Sequence, residues 1–129
     1  MADESTTALQ IELVAADRVV WSGQAKEVIA RTADGDIGVL AGHAPLLSVL
    51  VPGVVEITSL DGEVVRAAVE EGFLSVAGDH VSILSEDAFL ASEVDAKSVQ
   101  TELEAAQKDD DANAVLRAEA KLRLIDKAS

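Results

Sequence analysis

His43 and His80 are the only imidazoles in this 129-residue sequence, and it contains no cysteine. Neither histidine stands at ligand spacing from a second histidine or a carboxylate pair, so no metal site is assigned. Nucleophilic catalysis finds no better footing, because no Gly-x-Ser-x-Gly elbow is present to expose an activated serine. Gly35-Asp36-Ile37-Gly38 lacks the spacing and the following lysine of a phosphate loop, and no helical pattern succeeds it. His80 adjoins the turn pair Gly78-Asp79 and reads as an exposed histidine at a strand start. No catalytic residue is assigned, and the chain is not expected to be an enzyme by itself.

The chemistry that remains is that of docking. Gly35-Asp36-Ile37-Gly38-Val39-Leu40-Ala41-Gly42-His43-Ala44-Pro45-Leu46-Leu47 interleaves three glycines, one proline and a histidine with apolar residues that would otherwise form one strand. Glycine inside a strand pattern marks a bulge, a sharp bend or the close approach of another backbone. Two readings stand side by side: a corner where the chain crosses between sheets, or a protruding loop that presents Asp36 and His43 on a rigid scaffold. A second cluster, Arg117, Lys121, Arg123 and Lys127, gathers bases near the C-terminus of an acidic chain. It complements a helix dipole or forms a patch for an acidic partner.

The elements that must position these groups divide the chain in two. From Leu9 to about Leu84, short apolar runs are broken by turn residues. Leu9, Ile11 and Leu13 alternate with Gln10, Glu12 and Val14; Arg18–Trp21 and Glu27–Arg31 read as separate strands on either side of Gly23. Asp61-Gly62 and Gly78-Asp79 sit between apolar runs as hairpin turns. Turn signals every 8–12 residues or so predict an antiparallel sandwich or barrel. After about Asp87 the glycines and prolines stop. Asp95 caps a predicted helix with Ala96, Val99, Leu103 and Ala106 on one face. Lys108–Asp111 makes a polar turn, and a second helix runs from about Ala112 to Asp126 with Val115, Leu122 and Ile125 aligned. Two short helices so joined form an antiparallel hairpin that must pack on something to persist. The expected division is a β-domain over 1–88 and a helical hairpin over 89–129.

Composition narrows the partners. The net charge is −14, and 15 of the 24 acids, against 4 of the 10 bases, precede residue 91. Such a chain repels phosphate backbones and, with one Trp, two Phe and no Tyr, lacks stacking platforms for single strands. No nucleic-acid partner is expected. No apolar run approaches the roughly 18–20 residues of a membrane span. The acidic start, Met1-Ala2-Asp3-Glu4-Ser5, is unlike a secretory signal, so a cytoplasmic location is expected.

The ordered motifs resemble those of bacterial F-type ATP synthase epsilon chains. Gly35-x-Ile37-Gly38-Val39-Leu40-x-Gly42-His43-Ala44-Pro45-Leu46 is similar to that family's signature loop. Val20-Trp21-Ser22-Gly23 precedes it, Leu50-x-Pro52-Gly53-Val54-Val55-x-Ile57 follows, and Gly72-Phe73-Leu74-x-Val76 and Val81-Ser82-Ile83-Leu84 close the β-domain. The likeness covers about residues 9–90 by motif and the remainder by architecture. It implies a ten-stranded antiparallel β-sandwich with a C-terminal two-helix hairpin. It also implies a rotor subunit that clamps a gamma chain, rests on the c-ring and couples the rotation of one to the other. Its place would be peripheral, at the cytoplasmic face of the cell membrane, attached only through the complex.

By motif position the resemblance places Gly35, Asp36, Gly38, Gly42, His43 and Pro45 in the c-ring-facing loop. Ala41 departs from the proline often found there. It makes the hairpin a regulatory part that blocks hydrolysis when extended, with Arg117, Lys121 and Arg123 as contacts to the alpha and beta chains of the catalytic head. Some members bind ATP through an Asp-x-x-Arg-Ala stretch. Asp95 is the remnant of that stretch here, but Ser98 and Val99 replace the arginine and alanine. With the bidentate phosphate donor gone, weak or undetectable ATP binding is expected, and no cofactor. Two other readings compete: a stand-alone acidic β-sandwich that binds another protein through the same loop, and a small-molecule sensor with the hairpin as lid.

Overall fold

The computed structural model describes residues 8–128, so the Met1–Ser5 stretch used above for location lies outside them. The described residues form nine strands and two helices. In order these are β1 (Leu9–Val14), β2 (Val19–Thr32), β3 (Gly35–Leu40), β4 (Leu46–Leu50), β5 (Gly53–Ser59), β6 (Val64–Val69), β7 (Gly72–Ala77), β8 (His80–Ser85) and β9 (Ala88–Leu90), then a 3₁₀ turn (Ala91–Glu93), α1 (Ala96–Lys108) and α2 (Ala112–Ala128). The expected sandwich followed by a helical hairpin is the fold observed.

Two details differ from the expectation. The count is nine strands, because the segments either side of Gly23 are one continuous β2. Gly23 does not break it: the Trp21 indole lies over the glycine, where an added Cβ would meet its Cη2 at 3.0 Å. The ladder is also not wholly antiparallel, since β1 runs parallel to β8 while pairing antiparallel with β2.

The long β2 joins two layers. Its first half pairs with β1, which continues through β8 and β7 to β4. Its second half pairs with β3 and β5, and β6 and β9 follow. A register shift between Ala25 and Glu27 lets the strand turn from one layer to the other. Between the layers lie Leu9, Ile11, Leu13, Val28, Val39, Leu50, Val55, Ile57, Leu74, Val81 and Ile83, all without solvent exposure. Burying each such side chain stabilises the fold by about 1.5–3 kcal/mol.

The hairpin turns follow the local chemistry. At Gly78-Asp79 both residues take positive φ, as a two-residue primed turn demands. Between β5 and β6 only Gly62 does, and that connection is four residues long rather than two. Asp95 caps α1 as the sequence predicts, accepting from the Ser98 backbone N–H at 3.2 Å. Asp110 takes positive φ (53°) in the turn, and Asp111 opens α2 by accepting from the Ala114 N–H. The boundary expected between residues 88 and 89 falls inside β9.

α2 lies across β5 and β6, with α1 packed on α2. The side chains it lays on the sheet are Ala120 and Leu124, which bury against Ala68 with Val54, Ala91 and Val94 around them. The aligned Val115, Leu122 and Ile125 are only half-buried. A helix held between a sheet and another helix spreads its apolar residues over two directions, which blurs a single-stripe reading.

Candidate functional site

The Gly35–Leu47 segment is not a continuous loop. It is the edge strand β3, a tight turn over residues 41–45, and the start of β4. Gly35 and Gly42 have φ of 110° and 86°, in the region that glycine alone enters freely. Gly38 has ordinary φ, and its nearest neighbour to an added Cβ is Glu27 Oε2 at 3.9 Å.

Asp36 and His43 are not brought together. Asp36 sits by the β2–β3 turn, opposite Arg31 in the ladder, and its Oδ1 accepts from Arg31 Nε at 3.1 Å. His43 lies past the other end of β3, beyond Leu40, which is itself on the order of 13 Å from Asp36 along the strand at about 3.3 Å per residue. Its Nδ1 is 2.6 Å from the Ala44 carbonyl oxygen, and the Gly42 N–H beside it donates to Asp79 Oδ1 at 2.7 Å. The 41–45 turn, with Pro45 at its exit, is therefore tied to the β7–β8 turn. Both readings of the segment hold in part: Asp36 is presented at a hairpin tip, while His43 stands at a stapled corner at the opposite end.

Three of the C-terminal bases, Arg117, Lys121 and Lys127, are engaged within the chain. Arg117 donates to Glu71 from both Nε (2.9 Å) and Nη2 (2.7 Å), and its Nε lies 3.8 Å from Glu70. Its guanidinium is held well above its ordinary value by the Glu71 hydrogen bonds, and the Glu71 carboxyl is correspondingly lowered. Glu70 beside them is raised, chiefly by burial. Lys121 donates to both Glu102 oxygens at 3.0 and 3.1 Å and lies 4.6 Å from the centre of the Phe89 ring. That one ammonium links α2 to α1 and β9. Arg123 and Lys127 line a narrow groove with Ile29, Arg31, Asp36, Val54 and Glu56. There Glu56 accepts from Arg66 at 2.6 Å, lies 3.6 Å from Lys127, and is lowered mainly by the Arg66 bond.

Asp95 is occupied by its cap. Ser98, at the position of the family arginine, donates its hydroxyl back to Asp95 at 2.8 Å, and these bonds lower the carboxyl. His80 is exposed at the first position of β8, as expected.

The sequence reading missed a surface. α2 covers the outer face of the β5–β6 layer, whereas the outer face of the other layer carries a stripe of apolar side chains with one residue on each of five strands. The ladder sets Val19 beside Val14, Val14 beside Leu84, Leu84 beside Phe73 and Phe73 beside Val49. Val19 is 59% exposed, Phe73 53%, Val49 50% and Leu84 49%, with Leu47 nearby at 72%. At strand spacing the stripe is about 19 Å long, and Glu12 and Glu86 flank it, with Glu71, held by Arg117, at the same margin. Exposed contiguous apolar side chains rimmed by charge are characteristic of protein, membrane or ligand contact surfaces.

Residues 8–91 match the family model described as ATP synthase, Delta/Epsilon chain, beta-sandwich domain. An ATP synthase epsilon chain from Streptomyces avermitilis is 54% identical over 117 residues, spanning 91% of this chain and 94% of that one. One from Rhodococcus jostii is 45% identical over 121 residues, with 93% and 98% covered. A chain in the Euglena gracilis mitochondrial ATP synthase structure of OSCP, F1 and c-ring superposes with a TM-score of 0.74 at 23% identity, covering 95% of this chain and 79% of that one. Another, in the central stalk and c-ring of the Tetrahymena thermophila enzyme, gives 0.61 at 17% identity, covering 88% and 96%. At these identities the two structures speak for the fold alone.

Proposed function

The chain belongs to the ATP synthase delta/epsilon family, and from that premise we propose that it is the epsilon-type rotor subunit of a proton-translocating ATP synthase. It catalyses nothing itself. It clamps a gamma chain, rests its β2–β3 tip on the c-ring, and transmits rotation between them at the cytoplasmic face of the membrane.

The observation that carries this reading is the uncovered outer face. One outer face of the sandwich is occupied by the chain's own α2; the other exposes Val19, Leu84, Phe73 and Val49, in one row with the half-buried Val14 and with acids at its margins. A stripe of about 19 Å matches the apolar side of roughly 13 helical residues, and acidic margins favour a partner with basic flanks. The gamma chain is assigned to this face. Asp36, at a tip with a half-shielded carboxylate, is assigned to basic loops of the c-ring.

In the folded hairpin, Arg117 and Lys121 satisfy acids of this chain; extension would free both for acidic segments of the alpha and beta chains. The folded hairpin is therefore the state that permits hydrolysis. With Asp95 and Ser98 committed to one another, ATP is assigned no site, and titration calorimetry with ATP and magnesium should register no binding in the micromolar range.

Co-purification tests the docking surface. Tagged wild-type chain should retain a gamma-type chain, and Phe73→Asp should lose it while Leu116→Asp, on the exposed side of α2, keeps it. Failure of the wild-type chain to hold any gamma-type chain would overturn the assignment.

A further inference from the structure

The groove between the β2–β3 tip and the end of α2 gathers four of the ten bases of a chain that carries −14 overall. Arg31 comes from β2, Arg66 from β6, and Arg123 and Lys127 from α2; the acids facing them there are Asp36 of β3 and Glu56 of β5. Arg31 is seated rather than free-swinging, because its stem lies across Gly53, where an added Cβ would come within 3.0 Å of the Arg31 Cβ.

We propose that the docking tip and the helical hairpin are coupled through this groove, so that engagement of Asp36 by a basic partner loosens the C-terminal end of α2. The inference rests on the reading of Asp36 as a docking residue and adds a regulatory consequence to it.

The sign follows from the pairing. Among the described residues Asp36 is the carboxylate bonded to Arg31, at 3.1 Å. Glu56 is already shared, 2.6 Å from Arg66 and 3.6 Å from Lys127. A partner's cation that takes Asp36 leaves Arg31 two options. It turns to Glu56 and competes with Lys127, or it stays unpaired beside Arg123 and Lys127. Both raise the energy of the docked helix end and neither affects the released one, so binding at the tip shifts the hairpin toward release. By thermodynamic reciprocity, a released hairpin strengthens binding at the tip. Because the pairs are partly exposed, the coupling is modest and sensitive to salt.

Amide hydrogen exchange of residues 122–127 in the full-length chain tests this. Asp36→Asn stands in for a carboxylate whose charge a partner has neutralised. At low salt it should speed exchange there roughly two- to five-fold, the range expected for an exposed pair. The double variant Asp36→Asn with Arg31→Gln should return to the wild-type rate, and Glu63→Gln, which removes an equal charge at the exposed β5–β6 connection outside the groove, should change nothing. Unchanged exchange in Asp36→Asn, or a double variant as fast as the single one, would overturn the coupling. Retention of c-ring by the same variants reports on docking separately. Lost retention with unchanged exchange rejects the coupling and keeps Asp36 as a docking residue. Full retention with faster exchange rejects the docking role and keeps the electrostatic link within the chain.

Discussion

Arg117 and Glu71 meet as a two-point fork across 46 residues of sequence, Nε to Oε1 at 2.9 Å and Nη2 to Oε2 at 2.7 Å. The pair joins the middle of α2 to the loop between β6 and β7. It is the most directional polar contact between the hairpin and the sandwich, since the apolar interface beneath it consists of the small Ala68 and Ala120 with Leu124.

The fork geometry predicts that charge alone will not substitute. Arg117→Lys should open α2 nearly as much as Arg117→Ala, because an ammonium cannot reproduce two parallel donors. Each should weaken docking by about 1 kcal/mol, read as roughly five-fold faster exchange across α2 with the strand amides unaffected.

The pH response follows from opposing shifts. Glu71 is lowered by Arg117, so the docked hairpin holds fewer protons there than the released one. Its contribution is complete above the ordinary carboxyl value of about 4.3 and fades as pH falls through its lower docked value. Glu56, lowered by Arg66, acts in the same direction. Glu70 is raised by burial, so it favours the docked state most when protonated and loses that contribution as pH rises. Protection of α2 amides, corrected for intrinsic rates, should hold or rise slightly from pH 7 to 5 and collapse below about pH 4. Glu71→Gln should be less protected at pH 7 and show a shallower acid collapse.

Two glycines separate folding from coupling. An added Cβ at Gly72 would lie 1.8 Å from the Leu84 carbonyl oxygen, so Gly72→Ala must move backbone and should destabilise the chain by about 2–3 kcal/mol. Gly38 has open space and an ordinary strand conformation. Gly38→Val should change stability by less than about 0.5 kcal/mol while impairing proton pumping by the assembled complex. Denaturant unfolding of the isolated chain and pumping by reconstituted complex measure the two effects. Gly42, with φ of 86°, is a poorer probe because substitution there strains the turn.

What was legible in the sequence was what local chemistry fixes. The Gly78-Asp79 turn, the Asp95 cap and the polar Lys108–Asp111 connection each depend on neighbours within a few residues. The β3 strand was obscured because its glycines interrupt the alternation and Val39 alone is fully buried along it. The apolar stripe was invisible because each strand donates a single residue to it and only the ladder register aligns them. The partners of the C-terminal bases were hidden for a related reason: Glu71, Glu102 and Glu56, which pair with Arg117, Lys121 and Lys127, lie up to 71 positions away and are set beside them by packing.

Removing residues 91–129 should leave a folded sandwich, since the interlayer core draws only on the strands and Ala15. The cut belongs after Leu90, because β9 pairs with β6 through Ala67↔Leu90. A single cooperative thermal transition is expected, with stability lower by about 2–3 kcal/mol for the lost Leu124 packing. An unfolded product would show that the two parts do not fold independently.

The rotor assignment is tested most directly by measuring ATP hydrolysis and ATP-driven proton pumping together, on synthase depleted of this chain and then reconstituted with it. Wild-type chain should raise the protons pumped per ATP hydrolysed, and Phe73→Asp, unable to hold the gamma chain, should leave the ratio at the depleted level. Equal pumping per ATP with and without the wild-type chain would contradict the account.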